Sequence, residues 1–116
     1  MKRGEILWAN LTPRSGSEQS GRRPVLIVSH DGFNETPGWQ SVIVVPLSTS
    51  PAQKNRGPTV VMIPRGTAGL ERESAALCHQ VTTIDRAKLD KAIGTLPRPL
   101  LLAVNAALRA ALDAFD

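Results

Sequence analysis

Along the chain, apolar residues gather in short blocks divided by glycine, proline and small polar residues, a spacing that predicts strands for most of the molecule. Residues 5–11 form the first block, ended at Thr12-Pro13, where proline withdraws a ladder donor. Residues 12–22 carry no apolar side chain except proline and read as an exposed loop. Residues 24–29 are a nearly unbroken apolar run, which predicts a strand buried on both faces and placed centrally. After a loop bounded by Asp31-Gly32 and Pro37-Gly38, residues 41–48 predict the next buried strand, with Pro46 marking a bulge or an edge. A polar loop over 49–58, a β-branched strand over 59–63, a turn through Gly66 and Gly69, and a strand over 74–80 complete a series that predicts a small barrel or sandwich.

The period changes toward the C-terminus. Asp85 is placed to cap a short helical turn over 86–89, and 92–96 is a candidate to close the sheet. From Arg98 onward, Leu101, Val104, Leu108, Leu112 and Phe115 fall on one stripe at helical spacing, with alanines between them, so a helix ends the fold.

Size and charge narrow the picture. A chain of 116 residues and 12.4 kDa is expected to be one domain over 1–116, with a radius of gyration of about 13 Å and no room to enclose a large cofactor. No apolar run approaches the ~20 residues of a membrane span, and no apolar segment follows the charged N-terminus as in a secretory signal. A single cysteine, Cys78, excludes an internal disulfide framework, and no Cys/His spacing suits zinc, so a cytoplasmic protein without metal or cofactor is expected. The net charge is +4, and most of the surplus lies in residues 1–30, where Lys2, Arg3, Arg14, Arg22 and Arg23 face only Glu5 and Glu18. A polyanion is a suitable partner for that quarter. Aromatic residues are few, so a broad base-stacking platform is not expected; Phe33 and Trp39 are candidates to stack a base, although burial is the ordinary fate of an aromatic side chain.

The segment Gly16-Ser-Glu-Gln-Ser-Gly-Arg-Arg-Pro24 delivers two arginines to the mouth of a buried strand, and arginine offers phosphate a planar fork of donors at any pH. The competing reading is a solvated loop whose charges serve solubility. Ser48-Thr49-Ser50 ends the strand over 41–48, where hydroxyls either cap the turn or bind phosphate. Antiparallel pairing of that strand with 24–29 would bring Ser48 beside Arg23. Neither His30 nor His79 has a nucleophile or carboxylate at a motif spacing. His79, read as part of a strand, is expected to be a packed structural histidine, and Cys78 a core residue.

These residues lie in a pattern that resembles the MazF/PemK-like toxins. Arg3-Gly-Glu-Ile-Leu-Trp-Ala-Asn-Leu11, Gly16-Ser-Glu-Gln-Ser-Gly-Arg-Arg-Pro24, Val42-Ile-Val-Val-Pro-Leu-Ser48, Ala76-Leu-Cys-His-Gln80, Thr83-Ile-Asp85 and Ile93-Gly94 follow in the family's order, covering the chain from Arg3 to about Leu112. The resemblance implies an SH3-like β-barrel with a short helical turn and a C-terminal helix. It implies a homodimeric, metal-independent endoribonuclease that cuts single-stranded RNA at short sequences and is held inactive by a cognate antitoxin lying in the RNA groove. Arg23 takes the catalytic position, with Glu18 and Ser48 beside it, and Arg14, Ser17, Gln19, Arg22, Thr49 and Gln80 are implied RNA contacts. The chain departs from the pattern at Ser48, usually threonine, with Thr49 next to it, and at Thr82, where many relatives carry a basic residue. A gyrase-binding toxin resembling CcdB and a non-catalytic RNA-binding module are the alternatives.

Overall fold

A computed structural model describes residues 1–12, 16, 19, 21–54 and 56–114. Its strands are β1 (Glu5–Asn10), β2 (Arg22–Ile27), β3 (Ser41–Ser48), β4 (Val60–Ile63), β5 (Ser74–Leu77), β6 (Thr82–Asp85) and β7 (Leu89–Thr95). One helical turn, α1 (Asp31–Asn34), follows β2, and a longer helix, α2 (Arg98–Leu112), follows β7. The sheet is antiparallel in the order β4-β5-β3-β2-β1-β7, with β6 also paired to β3. This is the expected mainly-β class with a short helical turn and a C-terminal helix, but β4 and β7 stay unpaired to each other and the barrel is not closed.

β2 and β3 are central, as their unbroken apolar runs require, because the curled sheet has two cores. Ile6, Leu26, Val45 and Leu47 face β4, β5 and the Val104–Ala107 stretch of α2. Leu7, Ala9, Val25, Ile27, Val42, Val44 and Ile84 fill the opposite face. Strand alternation sends successive residues to successive faces, so a strand between two cores has no polar side. Each fully buried Val, Leu or Ile contributes about 1.5–3 kcal/mol of transfer free energy.

Two prolines bound the β2–β3 ladder. It runs from Ile27 opposite Val44 to Val25 opposite Pro46, and Pro24 precedes Val25. Neither proline has an N–H to extend the pairing. β2 begins at Arg22, two residues before the apolar run, because β1 continues to pair with it through Asn10 opposite Arg22. Both arginines therefore stand on a strand and not in the loop.

The segment over 74–80 is not one strand. β5 pairs Ala76 with Leu47, β6 pairs Thr82 with Val44, and between these rungs Val45 and Pro46 of β3 face five residues, 77–81. The surplus is extruded as a 3-10 turn over Cys78–Gln80. His79 consequently points outward and is exposed, contrary to the packed role expected of it, while Cys78 is fully buried as expected. β6 escaped the pattern because its residues are Thr82, Thr83, Ile84 and Asp85, of which Ile84 alone is buried.

The 31–40 region also departs from a plain loop. His30 caps α1, its Nδ1 accepting from the Gly32 N–H at 2.8 Å, so this imidazole has a structural duty. Phe33 and Trp39 are exposed and not buried, stacked on each other at 5.1 Å between centroids. Their segment is held from below, where Arg86 donates to the carbonyls of Phe33, Asn34 and Trp39. Asp85 caps the 3-10 turn over Arg86–Lys88, as the pattern predicted.

α2 presents Leu101, Val104, Ala107 and Leu108 to the core, whereas Leu112 is 65% exposed, because the helix overruns the cluster it packs on. Phe115, read as the end of the same stripe, lies outside the described residues. Asp113 stops the helix in a left-handed conformation. Among the described residues no helix is long and apolar enough to cross a membrane.

The turn between β4 and β5 lies directly on β7, and a Cβ at Gly94 would sit 2.3 Å from the carbonyl oxygen of Ala68. That neighbour is backbone and cannot swing aside. Gly94→Ala is expected to lower the free energy of unfolding by about 1–3 kcal/mol, read as a lower urea midpoint; an unchanged midpoint would refute the close approach.

Candidate active site

Because Arg22 and Arg23 are consecutive on a strand, the pleat sends them to opposite faces. Arg22 is on the face of Pro24, which pairs with Trp8, and its guanidinium lies 4.3 Å above the Trp8 ring. It also reaches Asp90 on β7 at 3.3 Å. Both members of this ion pair are more than half exposed, so it orients Arg22 more than it stabilises the fold. Arg23 pairs with Ala9 and is half-buried. Alternation puts it on the face of Val25, and of Pro46 and Ser48 across the ladder.

β2 and β3 are thus antiparallel neighbours, as the proposed approach of Arg23 to Ser48 needs. The last rung of the ladder, Val25 opposite Pro46, falls two residues short of both, so they stand on one face beyond the point where the prolines release the strands. Ser48 is 3% exposed, and its Oγ accepts the Ser50 N–H at 3.1 Å. That is the turn-capping role open to a strand-end hydroxyl, and it leaves the hydroxyl proton uncommitted among the described residues. Thr49, one residue on, is exposed and takes the opposite face.

Two clefts flank these strand ends. A cleft of about 450 Å³ is bordered by Trp8, Arg22, Arg23, Thr49 and Arg72. A second, of about 680 Å³, is bordered by Leu11, Gln19, Pro46, His79, Gln80 and Thr82. The backbone N–H of Gln19 donates to Gln80 Oε1 at 2.9 Å, which fixes this part of the β1–β2 connection to the 3-10 turn after β5. In that turn His79 Nδ1 lies 3.1 Å from Thr59 Oγ1.

The implied site residues therefore divide: Arg22, Arg23 and Thr49 border the smaller cleft, and Gln19 and Gln80 the larger. Ser48 is buried and borders neither, and Arg14, Ser17 and Glu18 lie outside the described residues. Trp8, Asp90 and Arg72 were not legible as site residues. Trp8 could have been found from its register, since a residue opposite Pro24 shares the face of Arg22. Asp90 and Arg72 depend on how β7 and the β4–β5 turn pack. Among the described residues, no three His, Cys, Asp or Glu side chains gather where they could hold a metal ion.

The molecule is an open antiparallel sheet with a C-terminal helix that carries Arg22, Arg23 and Thr49 to the border of one cleft and Gln19 and Gln80 to the border of another. The model of the PemK-like, MazF-like toxins of type II toxin–antitoxin systems matches residues 2–112. Endoribonuclease EndoA of Bacillus subtilis is 36% identical over 116 residues, covering 100% of this chain and 97% of that protein. The crystal structure of MazF (Form-I) from Deinococcus radiodurans superposes with a TM-score of 0.80 at 24% identity, covering 97% of this chain and 96% of that one. MazE–MazF (Form-II) from the same organism gives 0.73 at 25% identity, covering 98% and 96%. The chain belongs to the PemK/MazF-like family of toxins of type II toxin–antitoxin systems.

The cysteine takes no part in this site. Burial pushes the Cys78 thiol from its ordinary 9.0 up to about 12, so it is not a nucleophile near neutral pH. In the unfolded chain the thiol ionises from about pH 9, whereas the folded chain holds the proton to about 12. The unfolded state binds fewer protons across that window, so stability falls as pH rises through it. Chemical denaturation between pH 8 and 11 should show this decline, with a shallower slope in Cys78→Ala; identical slopes would refute it.

Proposed function

We propose that residues 1–116 act as a single toxin domain, a cytoplasmic endoribonuclease that cuts single-stranded RNA without a metal. RNA supplies its own nucleophile: the 2′-oxygen bonds to the adjacent phosphorus as the P–O5′ bond breaks. The 2′-hydroxyl proton leaves to a base, and the departing 5′-oxygen takes up a proton. The protein has to align these atoms and stabilise charge on the phosphoryl oxygens. Arg23 suits that electrostatic task, since its guanidinium stays charged and binds two oxygens at once. Ser48 donates its remaining proton to the same phosphate. Glu18 is the carboxylate with the chemistry to accept the 2′-proton, provided the bound RNA desolvates it.

Arg14, Ser17, Gln19, Arg22, Thr49 and Gln80 hold the strand on either side. A homodimer lengthens the groove beyond one copy, whose radius of gyration is 13.2 Å. A MazE-like antitoxin occupies that groove in the inhibited state, in keeping with the MazE–MazF structure that this chain matches. Match to a named endoribonuclease at 36% identity favours cleavage over gyrase binding and over RNA binding without scission. The observation that carries the reading is the β2–β3 pairing, which sets Arg23 and Ser48 on one face at adjacent strand ends.

Purified protein incubated with a long single-stranded RNA in EDTA is expected to cut it, leaving ends with a cyclic or 3′-phosphate. Arg23→Ala should slow cleavage by about 10²–10³-fold, the effect of removing a donor to the transition-state charge. Intact RNA with the wild type, or scission that survives Arg23→Ala, would refute the proposal. Arg22→Ala should weaken binding with little change in cleavage pattern, and should reduce the slope of log K against log salt by about 0.7 for one lost phosphate contact on a single strand.

A further inference from the structure

The smaller cleft, of about 450 Å³, combines apolar surface with an excess of positive charge. Leu47 and Leu70, both buried, and Pro24 and Ile93, both half-buried, form its floor. Arg22, Glu71, Arg72 and Thr49 stand exposed on its rim, with Arg23 half-buried beside them. The turn between β4 and β5, which supplies Leu70, Glu71 and Arg72, is pressed onto β7. A Cβ at Gly69 would sit 2.5 Å from the carbonyl oxygen of Ile93, and one at Gly94 would meet the Ala68 carbonyl. Backbone lies against backbone at both glycines, so this wall is rigid and the cleft is formed before any ligand arrives.

The arginines on the rim are not equivalent. Arg22 is laid on the Trp8 ring at 4.3 Å and reaches Asp90 at 3.3 Å. Arg72 has no such duty: its carbonyl accepts from Ser74 Oγ at 3.1 Å, but among the described residues its guanidinium has no partner. A guanidinium offers a phosphate two parallel N–H donors. Glu71 on the same rim has the opposite preference, since a carboxylate repels phosphate and accepts from hydroxyls. A ligand that satisfies both carries a phosphate at one end and hydroxyls a few ångströms away. The floor of Pro24, Leu70 and Ile93 adds room for a flat apolar ring. Phosphate, hydroxyls and a flat ring together describe a nucleotide, and the volume is that of a small-molecule site.

We propose that this cleft binds a free nucleoside phosphate, with the phosphate on Arg72 and Arg22, the ribose hydroxyls on Glu71 and the base on Pro24, Leu70 and Ile93. Arg23 borders the same cleft, so a nucleotide seated there sets its negative charge beside the arginine that holds the RNA phosphate. It therefore acts as an effector that competes with RNA. The competition rests on the endoribonuclease reading, whereas the binding does not.

The test measures binding and cleavage separately. Trp8 fluorescence in a Trp39→Phe background, supported by equilibrium dialysis, follows titration with adenosine 5′-diphosphate, with adenosine and with inorganic phosphate. The diphosphate is expected to bind saturably, and adenosine and inorganic phosphate each about tenfold more weakly, because each lacks one half of the contacts. Arg72→Ala, at an exposed position that leaves the fold intact, should weaken the diphosphate about tenfold. Arg56→Ala, on the wall of the other cleft, should leave its affinity unchanged. The diphosphate concentration that halves RNA cleavage should rise in Arg72→Ala by the same factor as the Kd. No saturable binding at millimolar diphosphate overturns the proposal. So do inorganic phosphate binding as tightly as the diphosphate, equal losses in Arg72→Ala and Arg56→Ala, and an Arg72→Ala effect on RNA binding with none on the diphosphate. A wild type that binds the diphosphate with the expected Arg72 dependence but cuts no RNA upholds the site and overturns the nuclease reading.

Discussion

The rest of the structure depends on the burial of both faces of β2 and β3. Two strands with a core on each side cannot slip by one residue, since every side chain would move to the wrong core. Their register is therefore fixed by Val25, Leu26 and Ile27 against Val44, Val45 and Pro46. Everything at the strand ends inherits that register. Arg22 faces Trp8, and Arg23 faces away from it on the side of Ser48.

Proline uses the same rigid pair for a different purpose. Pro24 and Pro46 stop the ladder where the apolar runs stop, so the polar ends that follow are released from pairing with each other. On the other flank of β3 the missing donor of Pro46 coincides with the extruded turn over Cys78–Gln80. Beyond Pro46, β3 thus loses its pairing with β2 while keeping it with β5 through Leu47 opposite Ala76 and Ser48 opposite Ala75. Rigid strands place the arginine and hydroxyl, and the gap in the ladder leaves a cleft beside them.

Most of the fold was legible in the pattern. The bounds of β3 were read to the residue, the central place of β2 followed from its apolar run, and α2 followed from Leu101, Val104 and Leu108. The errors share one cause. His79, Phe33 and Trp39 were placed by the general habit of their residue type, and each was moved to the surface by a local irregularity: a surplus of residues against β3, or a capped helical turn braced by Arg86. A surplus is a difference between two registers, and one strand's pattern does not contain it. The antiparallel pairing of β2 with β3 was legible from strand order and puts Arg23 and Ser48 on one face, whereas Trp8 beneath Arg22 required the residue-by-residue register.

The sequence by itself determined the class of the fold, the order of its elements and the family, because these rest on local periodicity and on a contiguous motif. Tertiary structure decided what the two arginines do. Adjacent in the chain, they are divided by the pleat, one laid on Trp8 and tied to Asp90, the other on the face of Val25, Pro46 and Ser48, and both border the smaller cleft. That division arises from pairing between strands far apart in sequence, and no single segment encodes it.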